Sequence, residues 1–244
     1  TQNQPADEFL AWQLAGVLLP KPTSAPLVAT GFVRMKPTTA EGGAIPAEFQ
    51  AKNNFDRVET LGTALLSMSL TCARCHTHKY DPIPQTEYYR MMAFFNSTAE
   101  PSMDGNKYEF GPTIKAPSDI AAWNTWAELN ATHVSLTEQA EANPELKEQP
   151  AMVAKEIAEF KKSFKPSLIA RDLPKPRETK LLERGEYNLP KGEPLQPDVF
   201  AVMGTLPKDA PANRLGLAQW ITARGHPLVS RVLINRVWQR AFGE

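Results

Sequence analysis

Cysteine is nearly absent from this chain: its 244 residues include two, Cys72 and Cys75, within four positions of each other. A disulfide-stapled scaffold is excluded, because such scaffolds spread many half-cystines along a short chain. An excess of either charge is also missing. Lys plus Arg number 27 and Asp plus Glu number 27, so the formal net charge is zero. That argues against a general binder of nucleic acid or of anionic membranes, which would be basic. No apolar run reaches the length of a membrane span. The richest, Leu61 to Leu70, is interrupted by Ser67 and Ser69 and followed by Thr71. No signal peptide is visible at Thr1, and the apolar pattern of the last helix runs to Phe242, close to the end. The expectation is a fragment of a longer polypeptide. Ser-His-Asp order, a phosphate-cradling glycine loop and a carboxylate pair suited to a site are all lacking.

Proline, by contrast, is abundant, at 22 residues, and it divides the chain into helical stretches and extended connections. Apolar spacing predicts helices over 7–19, 26–35 and 47–70, the last carrying Phe55, Val58, Leu61, Leu65 and Met68 on one stripe. Thr86 is a candidate cap for a helix to Asn96, and Ser118 for one to about Ala140. A further amphipathic helix spans about 150–164, and together these last two predict a helical hairpin. The proline-rich stretch that follows has candidate strands at 180–184 and 199–203. Closing helices are expected over 212–224 and 227–242. The predicted fold class is mainly α: a helical region carrying the two cysteines, a helical hairpin, and a proline-rich segment containing a few short β-strands. The expected domains are 1–117 with the cysteine motif, 118–165 as the hairpin, and 166–244 as the proline-rich segment plus the start of a second helical domain.

Both cysteines belong to Cys72-Ala73-Arg74-Cys75-His76, the C-x-x-C-H spacing of covalent haem attachment. Two thiols three residues apart lie on one side of a helical turn, where they can add to two vinyl groups on one edge of a porphyrin. His76 then stands below the iron as axial ligand, its other ring nitrogen donating to a backbone carbonyl. Three other uses compete. A zinc site could use the cysteines with His76 or His78, but no second ligand cluster exists. A redox dithiol normally follows a strand of a βαβ unit, and the surroundings are helical. A structural disulfide closing two residues would stabilise little.

The stretch CARCHTHKYDPIPQTEYYRMMAFFN (72–96) resembles the secreted domains of unknown function found beside planctomycete-type cytochrome c domains. DEFLAWQLAGVLLP (7–20), ATGFVRM (29–35), EGGAIPAEF (41–49), DRVETLGTALL (56–66) and AEPSMDGN (99–106) carry the same likeness. From Arg171, RDLPKPRETKLLERGEYNLPKGE and then NRLGLAQWI and HPLVSRVLINRVWQRAFG resemble the domain that normally follows. The resemblance covers nearly the whole chain outside the hairpin. It implies export to the periplasm or the exterior and a covalent haem c, and it implies no particular reaction.

For the sixth haem position the candidate is Met103, in the loop Glu100 to Gly105, with a core role as its alternative. His78 is too close to His76 to reach the opposite ring face and is expected to hydrogen-bond to Asp81 or a propionate. His133 and His226 are expected as core and cap residues. Arg74 is a candidate partner for a propionate or Asp81. Tyr80, Tyr88, Tyr89, Phe94 and Phe95 would wall a haem pocket or the ordinary core. The expected function is a single-haem module that exchanges electrons with a redox partner protein, either another cytochrome or further domains of the same polypeptide. Nucleic acid is not an expected partner, and no membrane span is expected. The alternatives are a haem enzyme, peroxidase- or oxidase-like, with an open sixth position, and a structural or polysaccharide-associated module.

Overall fold

The computed structural model of the protein describes residues 3–37, 39, 41–103 and 110–243. The chain is mainly α, with two small two-stranded sheets among the described residues. It divides into two compact units, Thr1–Pro112 with Leu168–Glu244, and Thr113–Ser167.

In the larger unit, α1 (Ala6–Ala15) follows Pro5 and carries Asp7 and Glu8 in its first turn, where acidic groups complement the helix dipole. It buries Leu10, Leu14 and Ala15, and it packs against α8 (Arg214–Ile221) from the far end of the chain. The predicted helix over 26–35 is two short ones, α2 (Ser24–Ala29) and α3 (Gly31–Arg34). The central element is α4 (Pro46–Leu61), which starts on a proline at its first turn. Asn53, Asn54, Phe55, Arg57, Val58 and Leu61 are all buried, so more than half of its circumference is core.

The helix predicted to reach Leu70 stops at Leu61. The chain widens into a loose turn over Gly62–Leu66 and reverses at Ser67, whose φ is 54°. The reversal lays Leu70 on Gly62, where a β-carbon would stand 2.6 Å from Leu70 Cδ1. The absent side chain of Gly62 is what lets the chain fold back there. α5 (Gln85–Ala93) begins after Pro84 and buries Tyr88, Tyr89, Met91 and Met92. Phe55, Tyr88 and Tyr89 meet edge-on or tilted at centroid distances of 5.4–6.4 Å, the geometry aromatic rings prefer.

Ion pairs cross this core. Arg57 is paired with the buried Glu100, donates to Thr98 Oγ1 at 2.9 Å, and gives its Nε–H to the Val33 carbonyl at 2.9 Å. Arg214, fully buried at the start of α8, donates to Asp172 Oδ1 and to the carbonyls of Leu14 and Ala170. Two further strands, β3 (Leu181–Leu182) and β4 (Pro190–Lys191), pair antiparallel, Leu181 opposite Lys191. The strand expected over 199–203 is instead a buried Val199–Phe200 pair followed by a 3-10 turn, Ala201–Met203, that ends at Gly204 with φ 104°. The closing helix α9 (Val229–Phe242) follows His226, whose Nδ1 accepts from the Leu228 and Val229 amides, the capping role expected of it.

The smaller unit is an αα-hairpin, α6 (Ile120–Ala142) and α7 (Glu148–Phe160), between β1 (Thr113–Ala116) and β2 (Lys165–Leu168), which pair with each other. Its N-cap is Asp119 rather than Ser118: Asp119 Oδ1 accepts from the Ala122 amide at 2.9 Å, and Ser118 donates to the Asp119 carboxylate. Trp126 meets Phe164 edge-on at 5.1 Å. His133 is half-buried on α6.

Candidate functional site

The motif occupies its own 3-10 turn, Thr71–Arg74, rather than the end of α4. In a 3-10 helix positions i and i+3 eclipse each other, so Cys72 and Cys75 are stacked on one side of the turn. Both thiols are exposed and free. Ala73 between them is completely buried and fixes which side faces out. The Cys72 carbonyl accepts from the amides of Cys75 and His76, at 3.3 and 3.4 Å, which brings His76 round beside the thiols.

His76 is exposed, and its Nδ1 lies 2.7 Å from the Thr77 carbonyl. A carbonyl can only accept, so Nδ1 carries the proton and Nε2 keeps its lone pair for a metal. His78 behaves differently. Its Nδ1 accepts from the amides of Tyr80 and Asp81, at 3.3 and 2.8 Å. The expected partner, Asp81, is therefore engaged chiefly through its backbone. The carboxylate lies 3.5 Å from the same nitrogen, which is already an acceptor and has no proton to give it. Tyr80 is 83% exposed, whereas Tyr88, Tyr89, Phe94 and Phe95 are buried in the core cluster.

The turn is held from behind by residues far away in sequence. The Arg74 carbonyl accepts from Gln85 Nε2 at 3.0 Å and from the Tyr89 hydroxyl at 2.9 Å. Both donors also reach the Leu182 carbonyl, at 3.3 and 3.4 Å, and so clamp β3 to the turn. Burial raises the Tyr89 hydroxyl pKa, which keeps it a donor. Arg74 pairs with neither Asp81 nor an open face. Its guanidinium stands 5.0 Å over the Phe55 ring and 3.7 Å from Glu59. Glu59 also accepts from Thr71 and Tyr88, each at 3.1 Å. Chain after β3 closes over Cys75: a β-carbon on Gly185 would lie 3.0 Å from Arg74 Cγ and 3.2 Å from Cys75 Sγ. Gly185 has φ 76°, so glycine suits it on both counts. Gln85, Glu59 and Gly185 were not singled out from sequence. The one signal available was the Arg-Gly pair after β3, a turn signature without chemistry of its own.

Met103 is not brought to this site. The Ser102 carbonyl before it accepts from Asn53, and Glu100 is paired with Arg57. With about 100° of rotation per residue, Asn53 and Arg57 stand at one edge of the buried face of α4. Phe55 and Glu59, which carry the motif, stand roughly 120–200° around it. Helix α4 thus separates Met103 from Cys72 and His76. Asp104 and Gly105, the rest of the expected distal loop, lie outside the described residues. Among the described residues, no group of three or more His, Cys, Asp and Glu is placed to hold a metal ion, and no helix is long and apolar enough to cross a membrane.

The residues present fit a covalently held haem. Two reduced, stacked, accessible thiols lie beside a histidine whose Nε2 is free and whose orientation is set by the Thr77 carbonyl. Residues 1–100 match the family model PSCyt2, described as "Protein of unknown function (DUF1549)", and residues 213–244 match PSD1, "Protein of unknown function (DUF1553)". No curated protein and no solved structure matches the chain. Two regions of the chain, 1–100 and 213–244, are thus similar, in tandem, to the planctomycete-type cytochrome-c-associated domains of unknown function.

Proposed function

We propose that the chain is an exported c-type cytochrome module, with one haem c attached through Cys72 and Cys75 and ligated by His76. The observation that carries this is the joint geometry of the three residues. The thiols eclipse on a 3-10 turn, and His76 directs Nδ1–H to the Thr77 carbonyl. Haem, once bound, supplies one-electron chemistry at its iron. The chain's own contribution is positional. Gln85 and Tyr89 fix the Arg74 carbonyl, Glu59 holds Thr71 and Arg74, and buried Ala73 keeps both sulfurs outward. Electrons would pass to or from a redox partner protein, another cytochrome or a further domain of the same polypeptide. Export belongs to the proposal because bacteria attach haem c outside the cytoplasm.

The test is intact mass and a pyridine haemochrome spectrum on native protein from a strain that matures cytochromes c. The expected mass exceeds the sequence mass by one haem, and Cys72→Ala with Cys75→Ala abolishes both the added mass and the covalent colour. A native protein with the bare sequence mass and no visible absorption overturns the proposal. The separation of Met103 from the motif by α4 favours a second reading, a haem enzyme with an open sixth position. Rapid carbon monoxide binding by the reduced wild type would select it over electron transfer.

A further inference from the structure

In the larger unit, a cleft of about 850 Å³ opens between the proline-rich segment and the helical core. Its size is that of a small-molecule site, and its chemistry is divided. Leu18, Leu27 and Phe94 form an apolar floor, and Pro174, Pro176 and Pro197 provide a stiff wall. The charged residues on the lining differ in how they are engaged. Asp172 is taken by Arg214. Arg177 donates to the carbonyls of Asn96 and Thr98, each at 2.8 Å, and Glu178 is 3.8 Å from Lys180. Arg171 and Lys175 are exposed, and no side-chain partner is described for either. The cleft therefore presents an apolar floor with two available cations on its lining. Residues from both matched regions line it, Phe94 from 1–100 and Asn213 from 213–244, so neither region makes it alone.

We propose that this cleft binds a small organic anion: a flat or chain-like apolar body on the leucine and phenylalanine floor, with a carboxylate or sulfonate against Arg171 and Lys175. A neutral ligand of the same shape would gain the floor and lose the cations. A cationic one would be repelled. The proposal does not depend on haem at Cys72 and Cys75.

The experiment is a titration of the full chain with 2-naphthoate by equilibrium dialysis at about 0.1 M salt, beside neutral 2-naphthalenemethanol. One saturable naphthoate site is expected, with the alcohol several-fold weaker. Arg171→Glu with Lys175→Glu should weaken naphthoate roughly tenfold and leave the alcohol unchanged, the scale of two exposed charge contacts reversed. Both positions are exposed, and an unchanged melting temperature would show that the variant is folded. Trp238→Ala, on the exposed apolar face of α9, should leave naphthoate binding intact. The proposal is overturned by absent saturable binding, by equal affinity for anion and alcohol, by an insensitive double variant, or by loss of binding in Trp238→Ala.

Discussion

Around Cys72 the reactive groups are outside and their supports inside, whereas around Arg214 the ionic groups themselves are buried. At the turn, two thiols and His76 face solvent while Ala73, Tyr89 and Phe55 anchor them from beneath. At the other place, Arg57–Glu100 and Arg214–Asp172 lie within the core, and their remaining donors are taken up by carbonyls from α1, α3 and the 170–172 segment. The first arrangement puts chemistry where a cofactor can reach it, at little cost in desolvation. The second spends desolvation to tie distant parts of the chain together. Burial works against both members of the Arg214–Asp172 pair, raising the carboxyl pKa and lowering that of the guanidinium, and each is partly restored by the other's charge. For Glu100 burial also pulls upward, but the Arg57 charge and hydrogen bonds override it and the pKa is lowered.

Removing one member of a buried pair strands the other, so the largest effect is expected there. Arg214→Ala leaves Asp172 without its partner and frees the Leu14 and Ala170 carbonyls. We expect a loss of about 3–5 kcal/mol in urea unfolding, with α1 and α8 exchanging amide protons faster because Arg214 bridges them. A loss under about 1 kcal/mol would mean that the network is as dispensable as a surface pair. Asp172→Asn strands the fully buried Arg214 guanidinium as an uncompensated positive charge and should cost about as much as Arg214→Ala, although the amide oxygen can still accept one of its hydrogen bonds.

A middle-sized effect tests the support of the turn. Gly185→Ala places a β-carbon against Arg74 Cγ and Cys75 Sγ on a residue at φ 76°. The expected cost is about 1–2 kcal/mol from backbone strain and crowding. The sharper readout is chemical. Alkylation of Cys75 by iodoacetamide in the haem-free protein should slow several-fold, while Cys72, whose atoms are not among those nearest the new β-carbon, keeps its wild-type rate. Equal slowing of both thiols would show that the whole turn had moved, and no slowing would remove Gly185 from the support of the site.

These two regions also differ in how much of them was legible beforehand. Cys72, Cys75 and His76 are contiguous, and a chemistry that needs fixed short spacing is visible in a short stretch of sequence. The amphipathic helices were legible for the same reason, as were the hairpin and the capping role of His226. The supports were not, Tyr89 apart, which was expected as a pocket or core wall, because Gln85 and Gly185 reach Arg74 and Cys75 across separations that no local period encodes. Nor were the buried arginines. Arg57 lies within an apolar stripe and Arg214 follows the capping Asn213, and in isolation each fits a solvated helix face. The early end of α4 was missed because the packing of Leu70 on Gly62 outweighs the helical pattern of Leu65 and Met68. Strands β1 and β2 were missed because they are four residues each and about fifty residues apart. The Gly and Pro residues of the loop around Met103 suggested a distal ligand, and only the placement of Asn53 and Arg57 on α4 shows which side of the helix the preceding residues join.

The smallest effect should come from the one imidazole that shares features of both regions, His226. Like His78 it uses Nδ1 as an acceptor for backbone amides, at 3.2 and 3.3 Å, so its proton is on Nε2. Unlike His76 it is buried, with Nε2 lacking a hydrogen-bond partner among the described residues and the ring meeting Trp220 edge-on at 4.4 Å. Burial lowers its pKa below the usual histidine value. The unfolded chain then takes up a proton near pH 6.5 that the folded chain refuses until lower pH. The stabilisation linked to His226 is therefore complete above the unfolded pKa and is lost as pH falls through the folded one. Between pH 7.5 and 5.5 the melting temperature should drop, and His226→Asn, which retains a side-chain acceptor for the Leu228 amide, should flatten part of that drop while lowering stability at pH 7.5 only slightly. An identical pH slope in wild type and variant would place the titrating group elsewhere and leave His226 as a simple cap on α9.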